Sequence, residues 1–68
     1  MSTSHEPLTA RERQVLQLLR THLRRRDIAA RLHVSDDTVK THVSAVYRKL
    51  RVTNRSEAVV RADELGLD

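Results

Sequence analysis

The stretch that most constrains this chain is residues 34–50, which we predict to form one helix with an apolar back and a polar, basic front. Ser35 is a good N-cap, because its hydroxyl can accept a hydrogen bond from a free N–H in the first helical turn. Asp36 and Asp37 follow it and suit the positive end of the helix dipole. The predicted helix therefore begins at about Ser35 and ends at Leu50.

A spacing of about 100° per residue separates the two faces of this helix. Four apolar residues fall within roughly 60° of one another and form a narrow stripe that we expect to be buried: Val39, Val43, Val46 and Leu50. The opposite face carries Thr41, Ser44 and Arg48, with Asp37 and Ala45 beside them, and Lys40 and Lys49 flank it on either side. Most of these side chains can donate to phosphates or to base edges. An ordinary surface helix with a solvated polar face fits the same pattern.

The size and composition favour a single small helical domain. The chain has 68 residues, one aromatic residue, one glycine, one proline and no cysteine, so the core must come from aliphatic packing. Thirteen Lys and Arg against nine Asp and Glu give a net charge of +4, which points to a polyanionic partner. No segment is apolar enough to span a membrane, and we expect a cytoplasmic protein.

The residues before the central stretch predict a leader and two helices. Residues 1–7 are polar and are assigned to a flexible leader or linker remnant, and residues 8–68 to one domain. Thr9 and Glu12 form a capping box at the start of the first helix. Hydrophobic spacing places these two helices at about residues 10–22 and 25–32.

The second helix lacks a good cap. Arg24 stands immediately before it, where a side-chain oxygen would normally accept a backbone N–H. We therefore expect this helix to be the least stable element. The basic run at 24–26 is either a solvated charge run or a phosphate clamp that includes Arg25.

His33 and Val34 form a tight connection between the second and third helices, and the two helices together make a helix-turn-helix. In that motif the second of the two helices, which is the third helix of this chain, enters the major groove of DNA.

A fourth helix is predicted over about residues 55–65, beginning with a capping box between Asn54 and Glu57. Val59 and Val60 are adjacent, so they cannot point the same way. An apolar residue left exposed on a basic DNA-binding unit suggests a two-fold dimer contact. The alternative is that both valines are absorbed into the small core.

Several of these segments together resemble the four-helix DNA-binding domain of the LuxR (NarL/FixJ-type, GerE-like) bacterial transcription regulators. They are Leu8-Thr9-Ala10-Arg11-Glu12, Ile28-Ala29, Leu32, Val34-Ser35, Thr38-Val39-Lys40-Thr41-His42-Val43, Lys49-Leu50 and Asn54-Arg55. The resemblance runs from Leu8 to about Leu65. It implies an all-α four-helix fold, double-stranded DNA as partner, and a homodimer that forms mainly on DNA. RNA polymerase is a further candidate partner, and no cofactor or small-molecule ligand is implied.

The resemblance also implies roles for individual residues. Base contacts fall on Lys40, Thr41 and Ser44. Phosphate contacts fall on Thr38, Arg48, Lys49 and Arg55, to which the possible clamp adds Arg25. The dimer interface falls on the fourth-helix residues Val59, Val60 and Asp63. The family usually has glycine at three helix ends, where this chain has His22, His33 and Arg51. Left-handed backbone at any of these positions would strain the residue.

Other functions fit the sequence less well. The fourth region of an RNA-polymerase sigma factor resembles residues 8–50, but that unit normally ends with its recognition helix. A protein-interaction module using the fourth helix is a second alternative. The histidines show no metal-ligand spacing, and we expect His42 to be partly buried and structural. No nucleophile has an evident base and orienting acid, so we do not expect an enzyme.

Overall fold

The structure, a computed structural model, describes residues 7–67. Within that range the chain forms four α-helices: α1 (Ala10–Leu19), α2 (Arg25–Leu32), α3 (Asp36–Leu50) and α4 (Arg55–Leu65). The predicted all-α, four-helix architecture with a central helix-turn-helix is therefore confirmed. The leader predicted for residues 1–7 lies outside the described residues except for Pro7, and its boundary with the domain stays a prediction.

The third helix is the centre of the fold. It packs against each of the other three helices, and α1 also packs against α4. The most completely buried side chains are aliphatic, namely Val15, Leu16, Ile28, Val39, Val46, Ala58 and Ala62. Because the chain has no cysteine, this apolar burial is the main source of its stability.

Two of the predicted helix starts are confirmed in full. The backbone N–H of Thr9 donates to Glu12 Oε1 at 3.0 Å, and the backbone N–H of Glu12 donates to Thr9 Oγ1 at 3.1 Å. At the start of α3, Ser35 Oγ accepts the backbone N–H of Thr38 at 3.1 Å. These bonds satisfy N–H groups that the first helical turn leaves without a partner.

The other two helix starts are only half capped. Asn54 Oδ1 accepts the backbone N–H of Glu57 at 2.9 Å, but the Glu57 carboxylate accepts from the backbone N–H and hydroxyl of Thr53 instead of returning a bond to Asn54. The second predicted capping box is therefore incomplete. At α2, Asp27 accepts the backbone N–H of Arg24 at 3.1 Å, and the arginine has no side-chain oxygen with which to complete the pair.

The first helix ends at Leu19, three residues before the predicted end at residue 22. The hydroxyl and the backbone N–H of Thr21 both donate to the carbonyl of Leu18. Arg55, at the start of α4, donates to the carbonyl of Leu19 at 2.8 Å. Groups outside the helix thus satisfy the last carbonyls of α1, and no further helical turn is needed to do so.

Two of the three helix-end residues that replace glycine lie in left-handed backbone. His33 has φ 60° and Arg51 has φ 59°, at the ends of α2 and α3. The chain reverses direction at both residues, and the backbone N–H of the following residue donates to a carbonyl in the last turn of the helix. At the end of α2, the N–H of Val34 donates to the carbonyl of Ala29 at 3.0 Å. His22 has no positive φ, so the strain considered for that position does not arise.

Candidate nucleic-acid interface

The exposed face of α3 carries the side chains predicted to read DNA. Lys40, Thr41, Ser44 and Arg48 are all exposed, and the opposite face is closed by buried Val39, Val46 and Leu50. Val43, predicted to be buried with that stripe, is only partly covered. The main geometric prediction is met, since a polar and cationic surface lies over a hidden aliphatic back.

The hydroxyl groups on this face already make local hydrogen bonds. Thr41 Oγ1 donates to the carbonyl of Asp37 at 3.1 Å, one helical turn earlier. The hydroxyls of Ser35 and Thr38 lie 2.8 Å apart, and Thr38 is partly buried. Each hydroxyl oxygen has two lone pairs. Thr41 and Thr38 are therefore held in defined orientations while they can still accept a hydrogen bond.

Arg25 lies next to the start of α3. Its Nε and Nη2 atoms are 3.4 Å and 3.3 Å from the carboxylate of Asp36, and about half of each side chain is exposed. Such a solvent-exposed pair is weak. Arg25 can therefore turn from Asp36 to a phosphate at little cost in free energy.

Arg55 is more firmly held than its predicted role implies. Its Nε donates to the Leu19 carbonyl at 2.8 Å, and its Nη2 donates to the carbonyls of Thr21 at 2.8 Å and Leu18 at 3.4 Å. Its guanidinium group thus caps the end of α1. All three acceptors are neutral, so the positive charge remains beside Lys40 on the same side of the domain.

Lys49 does not lie on the exposed face. Its Nζ donates to Glu12 Oε1 at 2.7 Å and to the carbonyl of Pro7 at 3.3 Å, and the Lys49 and Glu12 side chains are only 10% and 9% exposed. The hydrogen bond from Lys49, with that from the backbone of Thr9, holds the pKa of the Glu12 carboxyl below its usual value. The predicted phosphate contact of Lys49 does not fit this geometry and is corrected: Lys49 ties α3 to α1.

The residues predicted for the dimer interface differ in exposure. Val60 is 56% exposed, whereas Val59 is partly buried and the core is filled by Ala58 and Ala62 instead. The alternative that both valines are absorbed into the core is therefore wrong. Asp63 forms an ion pair with Arg20 of the same chain, although most of the Asp63 side chain stays exposed.

Three further predictions concern His42, metal binding and membrane insertion. His42 is partly buried, as predicted. Among residues 7–67, no group of three or more His, Asp or Glu side chains is placed to hold a metal ion. Over the same residues, no helix is both long and apolar enough to traverse a bilayer.

Comparisons with known proteins define the class. The model of the family "Bacterial regulatory proteins, luxR family" matches residues 6–62. Among similar proteins, "Uncharacterized transcriptional regulatory protein YxjL" of Bacillus subtilis (strain 168) is 47% identical over 62 residues, covering 91% of this chain and 28% of that protein. "CsgBAC operon transcriptional regulatory protein" of Escherichia coli (strain K12) is 40% identical over 63 residues, covering 93% and 29%. This chain thus spans less than a third of either relative.

Two solved structures have the same fold. Response regulator ChrA, from a heme-sensing two-component system, superposes with a TM-score of 0.90 at 41% identity, covering 100% of this chain and 34% of that one. The transcription factor GerE superposes with a TM-score of 0.79, also at 41% identity, covering 90% and 96%.

The helix-turn-helix with a polar, exposed third helix and the relatives together define the DNA-binding domain of a bacterial transcription regulator. The chain belongs to the luxR family, as the resemblance in its sequence predicts. Family membership favours this type over the sigma-factor alternative.

Proposed function

We propose that this domain recognises specific sequences in duplex DNA by placing α3 in the major groove. The observation that carries the proposal is the exposed face of a 15-residue helix, rich in hydroxyl and cationic side chains, above a back that is buried at Val39, Val46 and Leu50. The major groove admits an α-helix, and base edges there present hydrogen-bond patterns that differ for every base pair.

Individual contacts follow from exposure and position. Lys40, Thr41 and Ser44 project from the N-terminal and middle turns of α3, the part of a recognition helix that meets base edges. Arg25 and Arg55 flank these turns, and Thr38 and Arg48 lie towards either end of the helix. We assign these four side chains to phosphates, which set the position of the protein without reading sequence.

Alanine substitutions test this arrangement. Lys40 is directed to the bases, but its charge also attracts the nearby backbone. Lys40→Ala should therefore weaken binding to every duplex and make the negative slope of log K against log salt shallower, by no more than about 0.9, the value for one phosphate neutralised. Thr41→Ala and Ser44→Ala should alter sequence preference by about 1–3 kcal/mol where the lost contact is well made. The measurement is a salt-dependent titration of duplexes selected from a random pool.

Arg13→Ala is the matched control, because it removes one exposed cation of α1 that lies near Lys49 and Leu50 at the end of α3 and not beside Lys40. Its affinity for DNA should stay close to that of the wild type. Wild-type affinity and wild-type preference in all three α3 variants would contradict the placement of α3 in the groove.

We also propose that two copies pair through α4 on DNA. The support is the exposed Val60 together with charges of both signs beside it, including Arg61 and Glu64, which lie 3.4 Å apart. A surface with an apolar centre and both charges can be self-complementary across a two-fold axis. Val60→Asp should prevent the second copy from binding a duplex with two half-sites, as measured by sedimentation. Gln14→Asp adds the same charge on α1 and should leave the two-copy complex intact.

A further inference from the structure

A cleft of about 330 Å³ opens on the flank of α3, where the end of α1 and the starts of α2 and α4 come together. Its apolar side includes Val43 and the ring of Tyr47. Its polar rim is formed by Arg25, Lys40, Ser44 and Arg55. Two of these residues, Lys40 and Ser44, also belong to the exposed face of α3, so the cleft is continuous with the surface assigned to DNA.

The rim of the cleft is cationic. Three positively charged side chains line it, and no carboxylate from residues 7–67 does. Arg55 is bonded to neutral carbonyls, and Arg25 is bonded to a carboxylate only through a weak exposed pair with Asp36. A ligand seated here would therefore be anionic.

Tyr47 supplies a polar group that the proposed DNA contacts do not use. Its side chain is partly buried against the core, and its hydroxyl makes no hydrogen bond with any residue between 7 and 67. The hydroxyl is not itself a buried atom, so a ligand that enters the cleft can reach it. Burial raises the pKa of Tyr47, against the opposing effect of the Arg55 charge, so the hydroxyl keeps its proton and acts as a donor.

We propose that this cleft seats one phosphodiester group of the bound DNA, with the Tyr47 hydroxyl as a donor among the cations of Arg25, Lys40 and Arg55. Tyr47 thereby becomes a positioning residue that fixes how deeply α3 enters the groove. The inference rests on the proposed function. It favours a DNA phosphate over a free anion because the rim shares Lys40 and Ser44 with the surface that faces the bases.

The test combines Tyr47→Phe, which removes only the hydroxyl, with duplexes that carry a single neutral methylphosphonate at successive backbone positions. Tyr47→Phe should weaken binding about tenfold, the effect of one hydrogen bond to a charged group, with sequence preference unchanged. At one backbone position, the methylphosphonate should weaken wild-type binding and abolish the difference between wild type and Tyr47→Phe. That position identifies the phosphate in the cleft.

Neighbouring arginines provide a matched pair. Arg25→Ala removes a cation from the rim and should make the negative slope of log K against log salt shallower by about 0.9. Arg26→Ala removes the neighbouring cation, which does not line the cleft, and should change the slope less. Unchanged circular dichroism and melting temperature show that each variant is folded.

The outcomes separate this inference from the proposed function. If the wild type binds no duplex, the proposed function fails. If the wild type binds duplexes selectively but Tyr47→Phe matches it at every backbone position, only the cleft assignment is overturned. Saturable binding of inorganic phosphate that Tyr47→Phe abolishes, without any change in DNA affinity, would also overturn it, because the ligand would then be a free anion.

Discussion

The two flanks of α3 each carry a lysine, and the fold places these lysines in opposite environments. Lys40 is exposed at the rim of the cleft, beside the surface that we propose faces DNA. Lys49, nine residues later, is almost completely covered and forms an ion pair with Glu12 at 2.7 Å. A cation at the edge of an exposed helix face is therefore available to a ligand only if no neighbouring helix covers that flank.

The covered flank links the beginning of α1 to the end of α3. Glu12 Oε1 accepts both the backbone N–H of Thr9 and the Nζ of Lys49. A single carboxylate oxygen thus completes the capping box and neutralises the lysine. Among residues 7–67, no carboxylate lines the cleft on the open flank, so the charges of Lys40 and Arg55 remain available to a ligand.

The largest expected effect is the loss of the covered pair. Lys49→Met should lower the free energy of unfolding by about 3 kcal/mol, because it leaves the Glu12 carboxylate covered without its partner. Lys40→Met is the control on the open flank and should change stability by no more than about 0.5 kcal/mol. Urea unfolding measures both variants. Equal losses would show that the two lysines do not differ as the structure indicates.

A smaller effect is expected from acid. The pKa of Glu12 is lower in the folded chain than its ordinary value of 4.5, first because of the hydrogen bond from Lys49 and then that from the backbone of Thr9. The stabilisation is therefore complete above pH 4.5 and is lost as pH falls through the folded-state pKa. Between pH 7 and pH 3, the free energy of unfolding should drop less in Glu12→Gln than in the wild type, because the variant lacks this carboxylate. Some drop should remain in both, because Glu57, whose pKa is also lowered, is present in both. An equal drop would exclude Glu12 as a source of the acid sensitivity.

The smallest effect is expected at His33, which lies on neither flank of α3, so a substitution there separates stability from DNA binding. His33→Gly should stabilise the fold by about 0.5–1 kcal/mol, since glycine adopts the left-handed backbone at φ 60° without strain. DNA affinity should be unchanged. His22→Gly is the control and should give no gain, because its backbone is not left-handed. Thermal melting compares the two, and a similar gain from both would mean that relief of strain is not the cause.

Most of the fold follows from local sequence signals. Hydrophobic spacing predicts α2 over its observed range, spacing and the Asn54 cap together predict α4, and Ser35 marks the start of α3. The end of α1 was predicted three residues too late, because the groups that satisfy its last carbonyls include Arg55, which lies 36 residues from Leu19 in the chain. A contact of that kind has no local signature.

The candidate DNA-binding site could likewise be predicted only where it depends on local sequence signals. A helical wheel finds the exposed position of Lys40, Thr41 and Ser44, because exposure on a helix follows from its own periodicity. It cannot find that Glu12 neutralises Lys49 from 37 residues away. Nor can it find the cleft around Tyr47, whose walls come from four different helices.

The position of Tyr47 has a spectroscopic consequence. The chain contains no tryptophan and no other tyrosine or phenylalanine, so its intrinsic emission comes from a single chromophore at the cleft. Quenching or enhancement of that emission by an added anion therefore reports on this one place in the molecule, without any attached dye.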